Sequence, residues 1–145
     1  MGARRPRILV AAPAAVSRQL RHAFTDEVEI VGEETWQDAV ACLHEADPDL
    51  IIVCYVFDEM RPFRLLRYAR HEWNHAHVPT ILVRALPIAL GKSQEHEIRE
   101  SYKALGVDDF FNLRDETLRH GREAALQGLR HCVLSRLPRF SAAAS

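Results

Sequence analysis

Apolar residues in this chain fall into short unbroken runs, separated by longer stretches in which they recur every three or four positions. The runs Arg7–Ala11 (RILVA), Leu50–Val53 (LIIV) and Val78–Val83 (VPTILV) are each bounded by Pro, Asp or polar residues. Runs of this length rich in Ile and Val predict strands buried on both faces, the kind found inside parallel sheets covered by helices. Val28–Val31 alternates only weakly and stops at Gly32, which predicts a second strand nearer an edge. Val107–Phe111 predicts the fifth.

The intervening stretches carry the helical period. Ala14–Phe24 places Val16, Leu20, Ala23 and Phe24 on one face. Thr35-Trp36-Gln37-Asp38 is a capping-box-like start for a helix that turns Ala39, Val40, Leu43 and Ala46 inward and ends before Pro48. A third helix begins at Phe63-Arg64-Leu65-Leu66 and runs to about His75. A loop spans Pro87–Gly91, and Ser93 is expected to cap a fourth helix carrying Ile98, Tyr102 and Leu105. Gly106 reads as its left-handed stop. A last helix opens at Asp115 or at Glu123 and ends before Pro138, the choice depending on whether Gly121 breaks it. Five strands alternating with five helices predict a doubly wound α/β domain over residues 7–137, with 138–145 a tail.

Composition narrows the function. The 145 residues are 48% hydrophobic and 27% charged with a formal net charge of −1. That size supports one domain with a core of its own, and the balance offers no bulk electrostatic attraction for nucleic acid or membrane. No apolar stretch approaches a membrane span, and Arg4, Arg5 and Arg7 precede a run too short for an export segment. The three cysteines, Cys42, Cys54 and Cys132, lie far apart without a CxxC, which points to a reducing cytoplasm.

Four segments, taken together, resemble the receiver domain of two-component response regulators. They are Ala39-Val40 through Pro48-Asp49-Leu50-Ile51-Ile52-Val53, then Phe63-Arg64-Leu65-Leu66-Arg67, His77-Val78-Pro79-Thr80-Ile81-Leu82, and Ala104-Leu105-Gly106-Val107-Asp108-Asp109-Phe110-Phe111. The resemblance spans about residues 7–113. It implies a flavodoxin-like three-layer fold with a five-stranded parallel sheet in the order 2-1-3-4-5.

The chemistry that the resemblance implies is missing residue by residue. A receiver has an acidic pair after strand one to hold Mg²⁺, but here stand Ala11 and Ala12. The phosphoacceptor Asp is Cys54, the Thr or Ser after strand four is Arg84, and the Lys after strand five is Leu113. Mg²⁺ needs hard oxygen ligands, so the pattern is that of a degenerate receiver with no cofactor. Asp58 and Glu59, four and five residues past Cys54, read as solvated loop carboxylates.

Other signals are weaker. His71-Glu72-Trp73-Asn74-His75 matches HExxH as text, but it falls on the last turn of a helix with Pro79 close behind, so neither a peptidase site nor a metal site with His77 is expected. Cys54 reads as a small core residue. Its rival reading is a redox thiol or ligand sensor in which Arg84, one strand spacing away at roughly 5 Å, favours thiolate. Arg84 itself is expected to pair with Asp58 or Glu59. Trp36 and Trp73 read as packing residues.

The functional expectation is therefore a non-enzymatic, stand-alone signalling module that binds another protein or a second copy of itself. Leu126, Leu129, Val133 and Leu137 recur at spacings of three and four. On a helix running unbroken from Asp115, about 34 Å long against a strand of about 17 Å, this stripe would overhang the sheet. With Phe110 it then forms an expected interface.

Overall fold

All five residues of Leu50–Cys54 are at most 1% exposed, which places this strand at the centre of the sheet. In the computed structural model, which describes residues 5–24, 26–55, 62–71, 78–85 and 92–137, the elements follow in this order. They are β1 (Arg7–Ala11), α1 (Ala14–Phe24), β2 (Glu29–Glu33), α2 (Trp36–Glu45), β3 (Leu50–Cys54) and α3 (Pro62–His71). Then come β4 (Thr80–Arg84), α4 (Lys92–Ala104), β5 (Asp109–Asn112), α5 (Leu113–His120) and α6 (Arg122–Arg136). The strands are parallel and ordered β2-β1-β3-β4-β5.

Successive side chains of a strand point to opposite faces, and the sheet sorts its core accordingly. Ile8, Val10, Leu50, Ile52, Cys54, Ile81 and Val83 meet α1 and α6. Leu9, Ala11, Ile51, Val53, Tyr55 and Leu82 meet α2 and α3, with α4 along the β5 side. Thr35 caps α2 as expected, its Oγ1 accepting from Asp38 N–H at 3.1 Å. Cys42 joins Ala39 and Leu43 on the buried face of that helix. Val40 and Ala46 are only half-buried.

Several boundaries differ from the sequence expectation. Gly32 does not end β2: it pairs with Val10, and Ala12 N–H reaches Glu33 O at 3.2 Å. A side chain at position 32 would come within 2.8 Å of Ser17 Oγ, so only glycine lets α1 approach the strand this closely. β4 begins at Thr80 because Pro79 has no N–H to give, although its carbonyl accepts from Ile51. β5 begins at Asp109, because Val107 N–H is bound to Tyr102 O behind a left-handed Gly106 (φ 89°). Ser93 lies inside α4, one residue past its start. The expected end of the third helix near His75, the Pro87–Gly91 loop and the tail lie outside the described residues.

The largest correction concerns the C-terminal helix. Gly121 (φ 92°, ψ 162°) is both the C-cap of α5 and the N-cap of α6, so there are two helices where one was expected. The shorter α6 lies on the sheet without overhang. Leu126, Leu129, Val133 and Leu137 are 0–1% exposed and belong to the core, not to an interface. Arg130 clamps Glu27 with two guanidinium contacts, one of them 2.7 Å from Nε to Oε1, and Arg136 reaches Asp109 at 3.3 Å. These pairs pin α6 to the α1–β2 turn and to the start of β5.

A candidate site at the strand ends

The C-terminal ends of parallel strands are where open α/β sheets place their sites. Here those ends divide into a dry half and a charged half. On the face toward α1 and α6, Ala12 after β1, Cys54 at the end of β3 and Leu113 after β5 are 0%, 0% and 1% exposed. All three belong to one apolar cluster, with Ile81, Val83 and the half-buried Ala85. Ala11 is equally buried but faces the opposite cluster. Sequence reasoning marked these positions; the structure brings Ala12, Cys54 and Leu113 into a single cluster and puts Ala11 on the other side.

That cluster does not suit Mg²⁺. Ala11 and Ala12 carry no side-chain oxygen, Cys54 offers sulfur and Leu113 a hydrocarbon chain, whereas Mg²⁺ requires oxygen ligands and retains water. Among the described residues no group of three His, Cys, Asp or Glu side chains is placed to share a metal ion. Asp58, Glu59, His75 and His77 lie outside the described residues, as does the side chain of His71.

The charged half occupies the other face. Cys54 pairs in register with Val83, and Tyr55 N–H donates to Val83 O at 3.0 Å. Arg84, next along β4, projects away from the cluster that holds Val83. It meets Glu95 of α4, with Nη1 to carboxylate oxygen at 3.6 Å. The expected partner carboxylates of the β3–α3 loop are outside the described residues, and the alternation of the strand sends Arg84 to α4. Asn112, the register partner of Arg84, donates from Nδ2 to Glu95 Oε1 at 3.3 Å. Its Oδ1 accepts from Asp115 N–H at 2.9 Å and so caps α5. One carboxylate thus ties α4 to the ends of two strands, and one amide links that tie to the start of α5.

Tyr55 and Phe110 flank this network. Tyr55 is 4% exposed and its ring meets Phe110 edge-on, centroids 5.6 Å apart. Burial pushes the Tyr55 phenol up to about 12, and the Glu95 carboxylate adds to the shift. Arg99 of α4 lies over the Phe110 ring at 4.4 Å. Glu95, Asn112 and Tyr55 were not singled out in the sequence. Nothing in KSQEHEIRE separates Glu95 from its neighbours, since only the register of β4 against β5 reveals which carboxylate meets Arg84.

The other two thiols are inert by environment. Burial raises Cys42 to about 11. Cys132 is pushed up to about 12 by burial and by its hydrogen bond to Asp109, Sγ to Oδ2 at 3.3 Å. Among the described residues no helix is long and apolar enough to cross a membrane.

No known protein-family model matches the chain. No curated protein matches it either. Solved structures do. The chemotaxis response regulator CheY4 of Vibrio cholerae is similar at 16% identity and TM-score 0.67, over 90% of this chain and 99% of that one. The signal receiver domain of a putative Luxo repressor protein from Vibrio parahaemolyticus is similar at 18% and 0.67, over 96% and 95%. The phosphorylated cyanobacterial phytochrome response regulator RcpA is similar at 17% and 0.70, over 94% and 96%. At these identities the likeness is one of architecture: the chain has the flavodoxin-like fold of response-regulator receiver domains.

Proposed function

We propose that this protein is a pseudo-receiver, a non-enzymatic signalling module that works by binding another protein without being phosphorylated. The observation that carries this reading is the apolar cluster of Ala12, Cys54 and Leu113. An acceptor carboxylate, its metal ligands and a neutralising lysine act only as a set. Here the whole set is replaced by apolar or thiol side chains that are buried from water, Ala12, Cys54 and Leu113 on one face of the sheet and Ala11 on the other. A chain that had lost a single member by chance would leave the others as buried or half-buried charges, which are costly when unpaired. The replacement is concerted, and it keeps the fold stable without the chemistry.

The receiver fold, the small charge balance and three cysteines outside any disulfide fit a cytoplasmic two-component signalling role. The surface for a partner is the α4–β5 face, where α4 has no buried residue and Phe110 is half-buried. The stripe on α6 is committed to the core and is not available.

The test is incubation with acetyl phosphate and Mg²⁺, followed by intact mass. No phosphoryl adduct is expected for the wild type, nor for Cys54→Asp, because the acceptor alone lacks metal and lysine. A stoichiometric, acid-labile adduct on the wild type would sink the reading.

A further inference from the structure

Between α4 and β5 lies an open cleft of about 360 Å³, within the range of small-molecule sites. Val107 and Phe110 give it apolar surface over the buried Leu82, and His96, Arg99 and Lys103 bring nitrogen groups to it from successive turns of α4. The carboxylates at the cleft are unequal. Asp108 accepts from Thr80 N–H at 2.8 Å and lies 3.6 Å from Arg70. Asp109 is taken by Arg136, by the Cys132 thiol and by Phe110 N–H. Among the described residues Arg99 and Lys103 have no such ion pair, and Glu100 at the rim is the one lining carboxylate without one. With Asp108 and Asp109 already answered, two cations face one carboxylate and the cleft carries a surplus of positive charge. Arg99 lies over the Phe110 ring, its guanidinium carbon 4.4 Å from the centroid.

We infer that this cleft binds a small organic anion with a planar apolar body, an aromatic carboxylate in the simplest case. The ring would lie against Phe110 and Val107, and the carboxylate would take Arg99 and Lys103. A bare inorganic anion leaves the apolar wall unused, and a neutral aromatic leaves the two cations unanswered. The site shares its face with the proposed partner surface but does not depend on that proposal. A phosphoryl adduct on the protein would remove the pseudo-receiver reading and leave the cleft untouched.

The test is titration of the full ¹⁵N-labelled chain with naphthalene-2-carboxylate and indole-3-acetate. Naphthalene-2-carboxamide and inorganic phosphate are the controls, and amide shifts are followed by NMR. Both acids should give saturable shifts confined to α4 and β5, with roughly millimolar dissociation constants, as suits fragments of this size. The carboxamide should bind at least about tenfold more weakly, the scale of a lost charge-assisted contact. Arg99→Gln with Lys103→Gln should weaken the acids by roughly tenfold or more, and Glu100→Gln should tighten them. Failure of both acids to saturate, shifts centred elsewhere, a carboxamide that binds as well, phosphate that binds comparably, or an E100Q variant that binds no tighter would each overturn the inference.

Discussion

Glu95 and Arg84 form an ion pair across the ends of α4 and β4, with side chains only 23% and 13% exposed. No residue of α4 is fully buried, so this pair, the Asn112 amide, the Arg99–Phe110 stack and the half-buried Ile98 and Tyr102 hold the helix in place. An element with so little buried surface opens locally long before the domain unfolds. Glu95→Ala removes a half-buried carboxylate from Arg84 and from Asn112 and is expected to cost about 1–3 kcal/mol. Amide exchange should rise in α4 while β1, β3 and α6 keep their protection. The charge swap Glu95→Arg with Arg84→Glu should recover much of the loss. Uniform loss of protection, or a swap no better than either single change, would show that the pair does not latch the helix.

The raised thiols and phenol make the protein sensitive to alkali. Cys42 and Cys132 move from about 9 to about 11 and about 12, and Tyr55 from about 10 to about 12. Below pH 9 these groups are neutral in both folded and unfolded chains, and their contribution is fully present. Above it the unfolded chain loses protons that the folded one keeps, so stability falls as pH rises toward 12. The melting temperature should decline steadily above pH 9, and Cys132→Ala should soften that slope. At neutral pH, Ellman's reagent should label the native protein only slowly, with Cys54 (0% exposed) protected until unfolding. Rapid labelling of Cys54 in the native state would revive a thiol-sensing role.

Gly121 sits at φ 92°, ψ 162°, a region open essentially to glycine alone, although nothing lies within 4 Å of where a Cβ would stand. Gly121→Ala is therefore a purely conformational penalty of about 1–3 kcal/mol. The urea midpoint should drop with the slope unchanged. No change in midpoint would mean that the junction of α5 and α6 relaxes without strain.

Much of this architecture was legible from local pattern. β1 and α1 fall at the positions that periodicity alone assigns, because a buried run and an amphipathic repeat report directly which faces meet the core. Gly106 was readable as a stop for the same kind of local reason: a left-handed position favours glycine in any context. Which residues stand at the strand ends, Ala11, Ala12, Cys54, Arg84 and Leu113, was likewise visible, since it depends only on where each strand stops.

The fate of the C-terminal stripe was not readable in this way. Leu126, Leu129, Val133 and Leu137 have the same spacing whether they face a sheet or a partner, and only the backbone turn at Gly121 directs them into the core. The same limit hid Glu95, one of several charged residues on an exposed helix until β4 and β5 pair in register and aim Arg84 and Asn112 at it. Spacing along a chain records which residues share a face, whereas the choice of what that face meets is made by contacts between segments distant in sequence.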